Sequence, residues 1–290
     1  MNRINKDIEN TLATRLLQKV DVPEAYRLST QAKWNQTESD WLRLLDHNPE
    51  NCFIFRKNNQ SVGTATIAAF GRELAWIGMI IVDQALRGQE IGQYILKTVI
   101  HVARQQGYKI IGLDATGQGR RLYQHHGFHD VSPIDRWSGV MKISQPVKTV
   151  CPIDEKLLQE VIRLDRHWSG CDRSRLLQLL YLEKSVQSLG LIRDNVLRGF
   201  TFIRPGRNFR HLGPLLAESK EDFSVLLDAA SVILQGQPVL ADALRRQETS
   251  TILKQQGLEI QRRLIRMTLD EAQPALMDPR LRLSVSFEWG

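Results

Sequence analysis

The chain reads as an α/β protein with a mixed sheet, built as two tandem copies of one fold. Three observations lead there. Its 290 residues suit two ordinary domains. Hydrophobic residues make up 42% and charged residues 24%, the balance of a globular chain with a substantial core. Motifs of the first half return in the second at separations of 128 to 136 residues.

The repeat organises everything else. WIGMIIVD at 76–83 returns as HLGPLLAE at 211–218, with Gly78 matching Gly213. IGLDATGQGRRLYQHHGF at 111–128 returns as VLADALRRQETSTILKQQGL at 239–258, so Asp114 matches Asp242 and Gly127 matches Gly257. Gly63, in FRKNNQSVGTATI, faces Gly199, in IRDNVLRGFTFI. A period of this length means duplication of a whole domain rather than a solenoid. The polar, proline-bearing stretch KISQPVKTV at 142–150 suits a linker. It puts one domain at 1–143 and a second at 150–290.

Within the first copy, 11–17 reads as an opening strand. Asp21 reads as a helix N-cap, with Pro23 early in the helix and Glu24 three residues after the cap. Strands at 52–56 and 62–69 flank the turn Lys57-Asn58-Asn59-Gln60. The apolar run 76–82 predicts a strand buried on both faces. Ile91, Ile95, Val99 and Val102 recur at helical spacing and predict a helix over 91–105. A strand at 109–113 and a short helix at 118–126 follow, with Gly127 as its left-handed stop. Strand–turn–helix–strand order predicts parallel pairing in the middle of each copy.

Composition narrows the function classes. No stretch approaches the roughly 20 apolar residues of a membrane helix. The first twenty residues hold no apolar block after their basic residues, which reads against a signal peptide. Cys52, Cys151 and Cys171 are sparse, odd in number and lack metal-ligand spacing, which points to a reducing cytoplasm and no metal. The formal charge is +7, with local pairs at Arg120-Arg121, Arg245-Arg246 and Arg262-Arg263. Such dispersion reads as a solvated basic surface, or as support for a phosphate-rich cofactor, rather than a nucleic-acid partner.

The stretch after 76–82 carries the chemistry. Arg87-Gly88-Gln89-Glu90-Ile91-Gly92 turns into the predicted helix. A turn entering a helix presents unpaired backbone N–H groups and the positive end of the helix dipole, which together bind pyrophosphate. Thirty-one residues after Asp83 come Asp114-Ala115-Thr116, and then Leu122-Tyr123-Gln124-His125-His126-Gly127-Phe128. This combination resembles the GNAT superfamily of acetyl-CoA-dependent N-acetyltransferases over residues 11–141. RGQEIG stands for the family's Q/R-x-x-G-x-G/A and LYQHHGF for its x-L-Y-x-x-x-G-F segment. One departure is Glu90, where the motif has glycine; a carboxylate there disfavours pyrophosphate unless it points to solvent.

The resemblance implies two tandem GNAT-like domains and acetyl transfer to a primary amine of a small molecule or amino acid by direct attack on the thioester. It implies that the cofactor arm lies between splayed parallel strands, bonded to the backbone of Ile80, Ile81 and Val82. Tyr123 then gives a proton to the leaving thiolate, and Thr116 stands where many relatives carry asparagine. The general base is open among Glu73, Asp114 and Asp135. His125 and His126 lack a third ligand at metal spacing.

The second copy has 24 residues between Glu218 and Asp242, seven fewer than the first has between its own acids, and they are missing where RGQEIG stands. Ser219-Lys220-Glu221-Asp222-Phe223 occupies that place, and Leu253 replaces the tyrosine. This copy resembles the degenerate C-terminal domain of bacterial tandem GNAT proteins. Asp172, Arg173 and Arg204 are its candidates for reading the acceptor. Two other readings compete: an acyl-CoA sensor without turnover, favoured by Glu90, and aminoacyl transfer from tRNA, opposed by the intact motif.

Overall fold

The structure, a computed structural model, describes residues 11–270 and 276–290. The first half runs β1 (Ala13–Leu16), α1 (Val22–Gln31), α2 (Glu38–His47), β2 (Cys52–Lys57), β3 (Gln60–Phe70), β4 (Leu74–Val82), α3 (Ile91–Gln105), β5 (Ile110–Thr116), α4 (Gly117–His125) and β6 (Phe128–Val140). The second half repeats that order as β7 (Val150–Pro152), α5 (Glu155–Ser169), α6 (Ser174–Leu182), β8 (Gln187–Arg193), β9 (Val196–Arg204), β10 (Arg210–Ala217), α7 (Lys220–Leu234), β11 (Pro238–Leu244), α8 (Gln247–Gln255) and β12 (Glu259–Leu269). A last strand, β13 (Leu281–Leu283), has no counterpart among the described residues of the first half.

The local signals act as expected. Asn58 and Asn59 both take positive φ, 49° and 64°, as a tight hairpin requires. Gly127 (φ 88°) and Gly257 (φ 93°) follow the equivalent helices α4 and α8. Two elements differ from the sequence reading. Asp21 makes no cap bond to α1; its carboxylate accepts from the Gln18 N–H (2.9 Å) and pairs with Arg15 (2.6 Å). Helix α2 was not foreseen, although Thr37 and Asp40 form a reciprocal capping box at its start.

All strands join one sheet in the order β1-β2-β3-β4-β5-β12-β6-β11-β10-β9-β8-β7, with β13 paired to β10. The centre of this order is an exchange. Strand β12 of the second half lies beside β5 of the first, and β6 of the first lies beside β11 of the second. The exchanged strands pair antiparallel with each other along 128–138 and 259–269. Each brings a buried arginine to the host's repeated aspartate: Arg266 to Asp114 (3.0 Å) and Arg136 to Asp242 (2.7 Å). Helices α1, α2, α5 and α6 share one core on one face, while α3 and α7 cover the other face in two separate cores.

Parallel pairing of β4 with β5 stops at Trp76–Gly112, and the two strands then splay. Beyond that point β4 carries a bulge: Met79 has φ 50°, and the register against β3 shifts. The extra residue flips the alternation. Leu74, Trp76, Met79 and Ile81 face α1 and α2; Ala75, Ile77, Ile80 and Val82 face α3. In the second half β10 and β11 splay after residues 211 and 240, with a bulge at Gly213-Pro214. There β13 enters the gap, pairing with β10 and donating the Ser284 N–H to the Asp242 carbonyl (2.7 Å). The chain then crosses to the first half. The Trp76 indole donates to the Phe287 carbonyl (2.9 Å), and Trp289 packs edge-on against His47 (5.1 Å).

Candidate active site

The amino end of α3 is open. Its N-cap, Glu90, sits at φ 60° and makes no side-chain cap bond, and Gly88 before it has φ 80°. The equivalent end of α7 is closed from within. Ser219 and Asp222 satisfy each other's backbone N–H groups, and Asp222 also pairs with Arg193 (2.7 Å). An anion approaching α3 therefore meets free donors, whereas one approaching α7 meets a carboxylate.

A groove of about 910 Å³ runs from the α3 entrance along the free edge of β4. It gathers Ile80, Ile81, Val82, Arg87, Gly88, Glu90, Ile91, Gly92 and Thr116, which were predicted to hold a cofactor; Gln89 does not line it. Arg262 and Arg263, on the exchanged strand β12, supply further positive charge. Arg87 is steadied by its bond to the Val82 carbonyl (3.3 Å). Thr116 has a second task, accepting the Gly119 N–H (3.3 Å) as the N-cap of α4.

Where the strands diverge, the groove meets a smaller cavity of about 90 Å³. Tyr123, Asp114, Met79 and Ile80 line it from the first half, Arg262 and Leu264 from β12, and Phe287 and Glu288 from the last segment. Loss of hydration for the phenolate pushes the Tyr123 phenol up to about 12, so it keeps its proton at neutral pH. The Tyr123 ring packs edge-on against Phe128 (6.0 Å).

The acids expected near the site separate. Glu73 is an exposed partner of Lys109 (2.9 Å), and Asp135 is tied to Arg245 (2.6 Å). Only Asp114 reaches the cavity, and Arg266 holds both its oxygens (3.0 and 3.1 Å). The acceptor candidates also part company. Asp172 pairs with Arg166 (2.5 Å) on the surface, which holds its carboxyl down to about 2. Arg173 is fully buried against Asp165 (2.5 Å). Neither lines the groove or the cavity.

Arg204 stands one layer behind the cavity. It bonds Asp40 (3.2 Å), the Val285 carbonyl (3.0 Å) and the Ser286 hydroxyl (2.8 Å), and so anchors the last segment. The loop after it reaches the first half: the Asn35 side chain and carbonyl bond the backbone of 207–209. Asn35 lies between Trp34 and Gln36, both of which line the cavity. The sequence reading missed Glu288 and Phe287, which lie beyond both repeats and carry no motif.

A bulged strand splayed from its parallel neighbour, beside an open helix start and a half-buried tyrosine, is the frame of an acyl-CoA-dependent acyltransferase. The acetyltransferase (GNAT) family pattern matches residues 13–128, and an acetyltransferase (GNAT) domain pattern matches 161–281. The chain belongs to the GNAT family as a tandem two-domain member. It is 23% identical over 214 residues to holothin acyltransferase of Pseudoalteromonas sp. (strain SANK 73390), covering 73% of this chain and 71% of that one. A putative acetyltransferase from Pyrococcus horikoshii superposes with a TM-score of 0.83 at 19% identity, over 97% of this chain and 96% of that one. A tandem GNAT protein from the clavulanic acid biosynthesis pathway superposes at 0.65 with 13% identity, over 91% and 99%. Among the described residues no helix is long and apolar enough to cross a membrane.

Proposed function

We propose that the chain transfers an acetyl group from acetyl-CoA to the primary amine of a small molecule or amino acid, with the chemistry in its first half. The observation that carries this reading is the meeting of groove and cavity. They share Trp34, Ile80, Thr116 and Arg262, and Tyr123 lies at the inner one.

The groove fits an acyl-CoA. The uncapped α3 end and Arg87 suit a pyrophosphate, and the unpaired edge of β4 suits the amide groups of a pantetheine arm. The thioester supplies the activated acyl group. Tyr123, protonated and facing the cavity, supplies the proton that a departing thiolate needs. Among the described residues the second half offers no equivalent site: α7 is self-capped, Pro214 removes a backbone donor at the bulge, and β13 fills the gap between β10 and β11.

Both halves wall the cavity, so the second half contributes to acceptor choice through Arg262, Leu264 and the loop that Asn35 ties down. The cavity, at about 90 Å³, is far smaller than the groove of about 910 Å³. That favours a short acyl group meeting an amino nitrogen, with the rest of the acceptor outside. The holothin acyltransferase relative supports acyl transfer.

Thiol release from acetyl-CoA against a panel of primary amines and amino acids tests the reading. Glu90, which lines the groove, favours a second one, an acyl-CoA sensor without turnover. Binding of acetyl-CoA with no thiol release from any amine would select it.

A further inference from the structure

Seven buried acids each pair with an arginine at 3.0 Å or less: Asp21 with Arg15, Asp40 with Arg43, Asp114 with Arg266, Asp135 with Arg245, Asp165 with Arg173, Asp222 with Arg193, and Asp242 with Arg136. Glu288 is held differently. It is 2% exposed, and its closest cation, Arg204, stands 3.7 Å from Oε1 without a hydrogen bond. Oε2 accepts from the Gln36 amide (3.0 Å). Among the described residues Oε1 meets no donor at full hydrogen-bond geometry, and the nearby Ser286 hydroxyl and the Glu288 N–H help to hold the carboxyl down. Leaving a carboxylate oxygen buried and unmatched costs stability, so packing alone does not account for it.

Its position is built with care. Arg204 grips the preceding residues, and Trp76 grips Phe287. Gly78 makes the space: a Cβ there would lie 2.8 Å from Cα of Glu288. Glu288 thus lines the cavity that also holds Tyr123 and opens to the groove, with Gln36 shared between that cavity and the inner pocket of Asp40 and Arg204.

We propose that Glu288 is the general base of the transfer, taking the proton that the acceptor's ammonium must lose before its nitrogen attacks the thioester. This rests on the acetyl-transfer reading above. One N–H bond of the ammonium breaks and a carboxyl O–H forms, leaving a neutral amine with a free electron pair. That pair forms the C–N bond as the C–S bond breaks, and the thiolate takes the proton of Tyr123. The amide nitrogen sheds its second proton to the Tyr123 phenolate, and Glu288 returns its proton to solvent. The net products are amide, thiol and one released proton.

Burial pushes the Glu288 carboxyl up from its ordinary value, with Asp40 adding to the rise and Arg204 opposing it. An ammonium desolvated in the same cavity shifts the other way, so the two affinities for the proton approach each other. The charged and titratable groups facing Glu288 are Asp40 on α2, Asp114 on β5, Arg136 on β6, Arg204 on β9, His211 on β10, Arg262 on β12 and Tyr123 on α4. His211 is fully buried beside Arg204 and Arg136 and is held neutral, its imidazole well below the usual range.

The test is steady-state kinetics of the full chain with acetyl-CoA and the panel amine it acetylates fastest. Glu288→Gln is expected to lower kcat by about 100-fold or more, with acetyl-CoA binding unchanged. The acid limb of the kcat profile, present in the unaltered chain, should vanish in Glu288→Gln and persist in Glu288→Asp at lower kcat. The aspartate variant carries the test if the glutamine one fails to fold. An acid limb unmoved by Glu288→Gln, or an effect confined to KM for the amine, overturns the proposal while the transfer reading stands. An unaltered chain that acetylates no amine overturns both.

Discussion

In the proposed role Tyr123 needs no unusual acidity; it needs to keep its proton and to face the thiolate. A phenol pushed up to about 12 does the first, and its place on α4 above the cavity does the second. Tyr123→Phe keeps the ring against Phe128 and removes only the hydroxyl. Its kcat should fall about 100-fold, with calorimetric acetyl-CoA affinity and melting temperature unchanged. An unaltered kcat would return the residue to packing. Glu90 poses the opposite problem. At φ 60° it occupies backbone space that glycine takes without strain, which explains the glycine expected there. Glu90→Gly should raise the melting temperature and tighten acetyl-CoA binding by about five-fold, a modest gain because salt screens a charge on an open groove wall. Looser binding would give Glu90 a positive task. Both residues could be singled out in the sequence because the motifs that carry them span only a few positions, and the structure sets both beside the groove or cavity. Glu288, Asp172 and Arg173 were not legible in this way. What each faces is decided by segments far away in the chain, and an acid or arginine looks the same whether it is paired, buried or aimed at a substrate.

Elements were legible where their signals are local. The helix at 91–105 was drawn with its observed bounds because its apolar spacing and its glycine-bearing start agree. The repeat also predicted an equivalence that packing explains. A Cβ on Gly63 would lie 2.7 Å from the Ile81 carbonyl and 2.6 Å from Ile95 on α3. A Cβ on Gly199 would lie 2.4 Å from the Leu216 carbonyl and 3.0 Å from Leu226 on α7. In each half this glycine lets the long helix settle on the bulged strand. Gly199→Ala should therefore cost about 1–3 kcal/mol, seen as a lower urea midpoint, while acetyl-CoA affinity stays unchanged because neither β9 nor α7 lines the groove. An unshifted midpoint would mean that α7 moves aside at little cost. The bulge could not be read from WIGMIIVD, since one inserted residue changes which side chains face which core without changing the composition of the run.

The strand exchange belongs to the whole molecule. Period and linker located two copies in sequence, yet pairing preference between like strands leaves no mark in either copy, because β6 and β12 present similar edges. The exchange makes the halves interdependent. Cutting near residue 145 would strip β5 of its partner β12 and leave Asp114 buried without Arg266, a loss of about 3–5 kcal/mol for a broken buried pair. Residues 1–145 and 146–290 expressed apart should each aggregate or self-pair. Co-expressed, they should assemble one to one and recover acetyl-CoA binding, as read by size exclusion and calorimetry. A soluble, monomeric first fragment that binds acetyl-CoA alone would show that β12 is dispensable.

The same exchange sets the order in which the protein can be completed as it is made. Residues 13–140 leave the ribosome first, but their sheet stays open between β5 and β6 until β12, at 259–269, has been synthesised. At translation speeds of about 5–20 residues per second, that interval lasts on the order of ten seconds. During it the nascent first half carries bare strand edges, which are templates for pairing with other chains. The groove's Arg262 and the cavity's Glu288 are made after the whole first half. The first half therefore waits, half-made, until β12 and the segment that carries Glu288 have been made.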